Sequence, residues 1–198
     1  MDRLSPESPQ NCPQRIAVVG TTGSGKTALA RQLAHRLTIP HIELDAIHWE
    51  PNWTEIPTPL FRERLAPALS RNSWVVDGNY SQVRDIIWSR ADTVVWLDYP
   101  LPVVLHRLVR RTVRRVLARE QLWNGNRETL ATTFSRDSVL LWAIKTHPQR
   151  RKEFPILLKQ PEYTHLTAIH LRSPKAAPDW LSQLQPQTTL SPPPLWRP

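Results

Sequence analysis

The 198-residue sequence contains a single cysteine, Cys12, and no long apolar run. One cysteine excludes a disulfide framework and a cysteine-based metal site, and it favours a reducing compartment. A membrane-spanning helix needs about 20 consecutive apolar residues, and no stretch approaches that length. The polar start, "MDRLSPESPQNCPQ", lacks the apolar segment of a secretory signal. We therefore expect a cytoplasmic protein with no membrane partner.

Glycine and acidic residues are also scarce. Of the five glycines, Gly20, Gly23 and Gly25 fall within six residues of one another. The 26 lysines and arginines outnumber the 17 aspartates and glutamates, which gives a formal net charge of +9. This surplus indicates an anionic partner: a nucleotide, a nucleic acid or a membrane surface. Composition alone does not choose among them.

The pattern of apolar segments predicts the fold class. Residues 1–14 and 185–198 are polar and proline-rich, so we expect a disordered leader and tail around one domain over residues 15–184. Short apolar runs that predict strands occupy residues 15–20, 40–45, 73–78, 92–99 and 166–172. Helical patterns separate them, which indicates a parallel sheet covered on both faces. The class is therefore α/β, in a three-layer, doubly wound arrangement.

The stretch "GTTGSGKT", residues 20–27, matches the phosphate-loop pattern G-x-x-x-x-G-K-[ST]. It follows a predicted strand and opens a predicted helix, as phosphate binding by backbone N–H groups requires. Lys26 would reach the β and γ phosphates, and the Thr27 hydroxyl would help to hold Mg²⁺. The residues expected to wrap the phosphates are Gly20, Thr21, Thr22, Gly23, Ser24 and Gly25. The sequence therefore predicts ATP or GTP binding.

Three predicted strands end in aspartate, and the carboxyl ends of parallel strands are where ligands gather. We assign Asp77 to the magnesium ion, with a turn-forming role before Gly78 as the alternative. Asp45 is a candidate to orient or deprotonate an acceptor hydroxyl, and His48 is a weaker candidate to assist it. Asp98 is expected to cap the segment that follows it.

Residues 105–119 predict an amphipathic helix with a basic face. The basic face carries Arg107, Arg110, Arg111, Arg114 and Arg115, and the other side carries Leu105, Leu108, Val109, Val113, Val116 and Leu117. No acidic residue lies between Asp98 and Glu120 to neutralise these arginines. Three interpretations are open: a clamp on a transferring phosphoryl group, a nucleic-acid surface, or a solvated basic face.

The segment after this helix contains the turn-forming "NGN" at residues 124–126, which predicts a flap that closes over the site. Arg127 would be the catalytic contribution of this flap. Trp49, Trp53 and Trp123 fall where aromatic platforms would suit a planar or sugar-like acceptor. Packing in the core is the expected role of Trp74, Trp88, Trp96 and Trp142.

Taken together, these segments resemble the adenylate-kinase-like P-loop proteins, and within them the small group labelled "DNA topology modulation protein" (FlaR-like). The resemblance rests on "VVGTTGSGKTALARQLA", "IPHIELDAIHWEPNW", "WVVDGNY", "TVVWLDYPLPVVLHRLVRR" and "LWNGNRE", and it spans roughly residues 15–175. It implies a five-stranded parallel sheet in the order 2-3-1-4-5 with a small helical lid at about residues 112–135. The group label rests on a genetic effect and does not by itself imply DNA binding.

The resemblance also implies roles for single residues. Arg107 and Arg111 match an R-x-x-x-R pair that flanks the lid of nucleotide kinases, and Asp45 matches a strand-2 aspartate that meets the acceptor. Arg172, in "LRSP", falls where these kinases cradle the adenine. The segment "DGNYS" departs from the pattern "DG-x-P-R", because it lacks the arginine that holds a nucleoside monophosphate.

The function predicted from these features is that of an ATP-dependent phosphotransferase that uses Mg²⁺ and a small-molecule or nucleotide-like acceptor. One alternative is a nucleotide-switched regulator whose Arg110, Arg114 and Arg115 bind nucleic acid. The other alternative is a plain ATPase. The sequence names neither the acceptor nor the oligomeric state.

Overall fold

The computed structural model describes residues 13–127 and 139–184. The predicted tail, nearly all of the predicted leader and the last third of the predicted lid lie outside these residues, so the domain limits stay predictions. Within the described ranges, no helix is both long and apolar enough to cross a membrane.

Strands and helices alternate along the described residues, with one small hairpin after the second strand. The strands are β1 (Arg15–Gly20), β2 (His41–Glu43), β3 (Trp49–Glu50), β4 (Thr54–Glu55), β5 (Trp74–Asp77), β6 (Thr93–Leu97) and β7 (Thr167–Leu171). The helices are α1 (Lys26–Leu37), α2 (Leu44–His48), α3 (Thr58–Leu69), α4 (Ser81–Trp88), α5 (Leu101–Leu117), α6 (Val139–Leu157) and α7 (Ala176–Gln183). Short 3-10 helices occur at Pro51–Trp53, Trp123–Gly125 and Pro161–Tyr163.

The main sheet has the order β2-β5-β1-β6-β7, and every pair in it is parallel. Numbered among themselves, these strands run 2-3-1-4-5, so the predicted sheet and its order are confirmed. In this register Val18 of β1 lies opposite Asp77 of β5. The first strand is central, and the loop that follows it therefore lies at the middle of the carboxyl edge. Strands β3 and β4 form a separate antiparallel hairpin.

Both faces of the sheet are buried, because successive side chains of a strand point to opposite sides. Ala17 and Val19 pack into a core with side chains of α3, α4 and α6. Ile16 and Val18 pack on the other side, mainly against α1 and Val104 of α5. The three-layer α/β class is therefore confirmed, and it explains why β1, β5 and β6 are continuous apolar runs.

Three of the four tryptophans predicted to pack in the core do so: Trp74, Trp88 and Trp96 are buried. The prediction for Trp142 is wrong, since this residue is 53% exposed. Helix α6 turns Ala143 and His147 inward instead, and the ring of His147 lies 2.8 Å from the carbonyl oxygen of Tyr99. The periodicity of α6 did not reveal this orientation because the helix has apolar residues on several sides.

Helix α5 starts four residues earlier than predicted, and its buried stripe is narrower. Val104, Leu108 and Thr112 are buried at i, i+4 spacing. Val109 and Val113 are exposed, so the predicted apolar side is wrong at these positions and at Leu117. The side of α5 that faces the interior is the one with Val104, Leu108 and Thr112, and Val104 and Leu108 lie against the loop that follows β1.

The contrast between a buried and an exposed leucine tests this packing. We expect Leu33→Ala, at a position of α1 that is 0% exposed, to lower the free energy of unfolding by about 3 kcal/mol, because it leaves a cavity. Leu117→Ala, at a position that is 79% exposed, should change it by less than about 0.5 kcal/mol. Urea denaturation measures both. Equal effects of the two substitutions would contradict the described core.

Candidate active site

The loop between β1 and α1 adopts a conformation that favours glycine. Gly23 has φ +83°, and a Cβ atom there would lie 2.9 Å from the carbonyl oxygen of Val104 and 2.9 Å from the Cβ of Leu108. A side chain at this position would therefore push α5 away from the loop. The Nζ of Lys26 donates to the carbonyl oxygen of Thr21 at 3.3 Å, so the lysine folds back over the loop. The hydroxyl of Ser24 is buried and has no hydrogen-bond partner among the described residues.

A carboxylate stands beside the start of α1. The Thr27 hydroxyl donates to Asp77 Oδ2 at 2.6 Å, and the ring of His41 lies 2.6 Å from Asp77 Oδ1. A hydroxyl and a carboxylate next to phosphate-binding amides are the oxygen ligands that Mg²⁺ takes up together with phosphate oxygens and water. The pair that the sequence assigned to the metal thus lies together, and its residues fit the ion. His41 is an addition that sequence reasoning missed.

A second acidic side chain, Glu43, lies at the same edge. Burial and then the nearby charge of Asp77 raise the pKa of the Glu43 carboxyl, while a hydrogen bond from Trp123 and the charge of Arg31 oppose this shift. Sequence reasoning passed over Glu43 because it chose the last acidic residue of the predicted strand. The observed β2 ends at Glu43, and Asp45 lies in the first turn of α2.

Asp45 is held by a residue that the sequence did not single out. The hydroxyl of Tyr80 donates to Asp45 Oδ1 at 2.6 Å, and burial followed by the charge of Asp45 raises the pKa of the tyrosine. His48 is buried beside them, with its ring centroid 4.3 Å from that of Tyr80 and its Nε2 3.6 Å from Glu55 Oε2. Its assistance to Asp45 stays a prediction.

Asn79 ties the phosphate loop to the neighbouring strand. Its side-chain oxygen accepts a hydrogen bond from the Gly20 amide at 3.2 Å, and its side-chain nitrogen donates to the Gly20 carbonyl oxygen. The residue is part of "DGNY", the segment that lacks the arginine of the nucleotide-kinase pattern. A polar residue just after a strand that ends in Asp-Gly was the available signal.

The arginines of α5 divide into two groups. Arg107 Nη1 donates to the carbonyl oxygen of Ser24 at 3.1 Å, and the charge of Arg111 reaches Lys26. Farther along the helix, Arg114 and Arg115 lie 3.4 and 3.7 Å from the carboxylate of Glu120. Arg107 is thus hydrogen-bonded to the phosphate loop and Arg111 lies within electrostatic reach of Lys26, while Arg107 and Arg110 are both exposed.

The segment after α5 docks on the β3–β4 hairpin. Asn124 Nδ2 donates to the Trp49 carbonyl oxygen at 2.5 Å, and Asn126 Oδ1 accepts from the Trp53 amide at 2.9 Å. The indole of Trp53 also donates to the carbonyl oxygen of Arg127 at 3.3 Å. The three tryptophans named as acceptor platforms form one edge-to-face row, Trp49–Trp53–Trp123.

Two sequence-predicted residues lie elsewhere than the loop. Arg127 is exposed, and its backbone rather than its guanidinium makes the contacts described above. Arg172 follows β7 and is exposed, with its Nε 3.4 Å from the ring of His170. A third residue, Asp98, does not cap the segment after β6, because its carboxylate is buried 2.7 Å from Arg151 and 2.9 Å from His170.

Among solved structures, the chain is similar to a shikimate kinase from Bacteroides thetaiotaomicron, with a TM-score of 0.50 and 18% identity over 87% of this chain and 96% of that one. It is also similar to a shikimate kinase from Acinetobacter baumannii in complex with shikimate, with a TM-score of 0.50 and 20% identity over 88% and 91% of the two chains. The chain has a P-loop kinase fold. No protein-family model matches it, and no curated protein is significantly similar.

In this P-loop fold the lysine of the loop has an unusual electrostatic environment. Burial, and then repulsion from Arg150, lowers the pKa of Lys26 to about 8, while Asp45 and Asp77 act in the opposite direction. Arg150 lies on α6 and was missed by sequence reasoning, because nothing in its helix marks it as close to residue 26. A phosphate chain beside Lys26 would stabilise the ammonium form and raise its pKa.

This coupling predicts proton uptake on nucleotide binding. At about pH 8.5 the free protein should carry Lys26 mostly neutral, so binding of Mg-ADP should take up about three quarters of a proton. At about pH 6.5 the lysine is already charged, and its share of the uptake should disappear. Calorimetric titrations in buffers of different ionisation enthalpy measure the number. Equal uptake at both pH values would contradict the assigned environment of Lys26.

Proposed function

We propose that the protein is an ATP-dependent phosphotransferase that passes the γ-phosphoryl group of ATP to a hydroxyl of a small-molecule acceptor. The observation that carries the proposal is a second carboxylate near the lysine of the phosphate loop: Asp45, which accepts a 2.6 Å hydrogen bond from Tyr80, lies within electrostatic reach of Lys26. A module that only bound nucleotide would not need a second carboxylate there. The fold shared with shikimate kinases is consistent with this function.

The donor side follows from the loop and its neighbours. Amides of residues 20–25 and the amino end of α1 would bind the phosphates of ATP, with Lys26 on the β and γ groups. Thr27 and Asp77 would hold Mg²⁺, which supplies charge neutralisation at the phosphate oxygens when it is bound. Arg172, beyond the end of β7, is the residue that we assign to the adenine.

The acceptor side is assigned to Asp45. Its carboxylate would take the proton of the acceptor hydroxyl as the hydroxyl oxygen bonds to the γ-phosphorus. The bond from this phosphorus to the β–γ bridging oxygen breaks, and ADP leaves with that electron pair. The Tyr80 hydroxyl donates a 2.6 Å hydrogen bond to Asp45 Oδ1, which orients the carboxylate and leaves Oδ2 for the acceptor.

Arg107 and Arg111 would stabilise the negative charge on the transferring phosphoryl group. Arg107 is hydrogen-bonded to the Ser24 carbonyl oxygen of the loop, and the charge of Arg111 interacts with that of Lys26. Arg127 would add to them from the lid. The carboxylate of Glu120 lies beside Arg114 and Arg115 and reduces the positive charge at that end of the basic face. We therefore rank nucleic-acid binding second, and the narrower FlaR-like assignment and a cytoplasmic location stay predictions.

Acceptor-dependent ADP formation tests the proposal. We expect one member of a panel of nucleosides, monophosphates, sugars and small hydroxy acids to stimulate ADP release from Mg-ATP, and Lys26→Ala to abolish it. Asp45→Asn should lower kcat by about 100-fold or more with little change in the KM for ATP, because it removes the base and leaves the loop intact.

Asp179→Asn is the matched control, because Asp179 is exposed on α7. Its kinetics should equal those of the wild type. If no acceptor raises ADP release above a weak, Lys26-dependent hydrolysis, the result contradicts phosphoryl transfer and favours a plain ATPase. ATP-modulated DNA binding with a steep salt dependence would favour the regulator instead.

Substitutions of two arginines of α5 distinguish a specific contact with the transferring phosphoryl group from a general effect of positive charge. Arg107→Ala should lower kcat by about 10³-fold, as expected for a guanidinium on the transferring group. Arg110→Ala removes the same charge from the exposed side and should change kcat by less than about twofold. Steady-state kinetics with the stimulating acceptor measure both. Similar losses in the two variants would rule out a specific clamp at Arg107.

A further inference from the structure

The carboxylate of Asp77 is held through both of its oxygens by side chains of two other elements. Oδ2 accepts a hydrogen bond from the Thr27 hydroxyl of α1 at 2.6 Å, and Oδ1 lies 2.6 Å from Nε2 of His41, the first residue of β2. Only 4% of the Asp77 side chain and 16% of the His41 side chain are exposed. The contact between them is therefore largely shielded from water.

The register of the sheet brings this imidazole to the carboxylate. Strands β2 and β5 are parallel, with His41 opposite Val75 and Glu43 opposite Asp77. Alternate residues of a strand point to the same side, so Asp77 points to the side on which Val75 packs with residues of α1. His41 reaches Asp77 on that side from the neighbouring strand. Its position is thus set by β2, at the edge of the sheet, and not by the phosphate loop.

The direction of the hydrogen bond follows from the chemistry of the two groups. A carboxylate that takes part in Mg²⁺ binding is ionised and has only acceptor oxygens, so Nε2 of His41 carries the proton and donates. The Thr27 hydroxyl donates to the other oxygen and keeps its own lone pairs for a cation. Two donors on different oxygens oppose rotation of the carboxylate. Without His41, Oδ1 would lose this restraint.

An imidazole beside a metal site is often a ligand of the metal itself. Here Nε2 of His41 is already committed to Asp77 at 2.6 Å. Within residues 13–127 and 139–184, no three histidine, cysteine, aspartate or glutamate side chains are grouped so that they hold a metal ion. The Mg²⁺ assigned to Thr27 and Asp77 would instead take phosphate oxygens and water as its other ligands. The arrangement therefore favours a supporting role for His41.

We propose that His41 is a positioning residue for the magnesium site: its hydrogen bond keeps the Asp77 carboxylate oriented toward the ion that Thr27 and Asp77 bind together. Side chains that bind metals generally rely on such outer partners, and loss of a partner typically lowers metal affinity about 10- to 100-fold. The inference rests on the donor side of the proposed function and extends it to a side chain of the edge strand. It does not depend on the identity of the acceptor.

The coupling between ADP and Mg²⁺ in the full-length protein tests the proposal without catalytic turnover. Calorimetric titrations with ADP, in EDTA and in saturating MgCl2, give two dissociation constants, and their ratio measures the coupling. For the wild type, ADP should bind at least about tenfold more tightly with Mg²⁺. His41→Met, which is similar in length and lacks an N–H donor, should lower this ratio about tenfold. Its Kd for ADP in EDTA should stay within about twofold of the wild type, because the phosphate-binding amides are unchanged.

His41→Gln is the conservative variant, since its side-chain amide supplies an N–H donor at a similar reach. It should keep the ratio within about twofold of the wild type. His35→Gln is the matched control, because His35 is exposed on α1, and its ratio should equal that of the wild type. A wild-type ratio in His41→Met, or a loss in His41→Gln as large as in His41→Met, would overturn the proposal. Equal weakening of ADP binding with and without Mg²⁺ would also overturn it, because that result indicates a merely structural role.

Replacing MgCl2 by MnCl2 distinguishes positioning from direct ligation. An imidazole nitrogen binds Mn²⁺ more readily than it binds Mg²⁺. A positioning role predicts that His41→Met lowers the coupling by the same factor with both ions, within about threefold. A loss more than about threefold larger with Mn²⁺ would overturn positioning in favour of a ligand role.

The same titrations separate this inference from the proposed function. A wild-type ratio near one would overturn the inference together with the assignment of Mg²⁺ to Thr27 and Asp77. Loss of coupling in His41→Met, with the ratio retained in His41→Gln, would support the positioning role even if no acceptor in the kinetic panel raised ADP release. In that case the failure would belong to phosphoryl transfer and not to the metal site.

Discussion

The contact between the phosphate loop and α5 at Gly23 is the constraint on which the site depends. Since no side chain separates them, the loop backbone lies directly against Val104 and Leu108. The next turns of the helix then carry Arg107 to the Ser24 carbonyl and Arg111 within electrostatic reach of Lys26. Contact with the loop at Gly23 thus positions α5. The absence of a side chain at this glycine therefore determines where the charges of Arg107 and Arg111 lie.

The site also combines cations that repel one another. Burial and then the charge of Arg150 lower the pKa of Lys26, and the charges of Asp45 and Asp77 oppose this shift. Such an arrangement is less stable on its own than with anions bound. The free energy that the protein gives up by holding these charges together is recovered when phosphate or another anion binds. Binding and stability of the domain are therefore linked through the same side chains.

Local sequence patterns predicted the parallel sheet, the phosphate loop and the Thr27–Asp77 pair, because each depends on a short motif and on the edge at which parallel strands end, whereas the sheet order came from the family resemblance. The same patterns did not find Arg150, which reaches the site from α6 through tertiary packing. They also assigned Trp142 to the core, since composition does not show which side of a mixed helix faces inward. The exposed Val109 and Val113 have the same cause. Residues brought together over long sequence distances need the coordinates.

The hydrogen bonds from Asn124 and Asn126 to the β3–β4 hairpin give the acceptor side a mechanical property. They fasten the segment after α5 to the backbone of Trp49 and Trp53, and the row of indoles adds contact area to this junction. Two segments more than 70 residues apart in the sequence are therefore joined through several contacts. Separating the segment after α5 from the hairpin requires breaking these bonds together. Such a separation would be an all-or-none event rather than a gradual loosening.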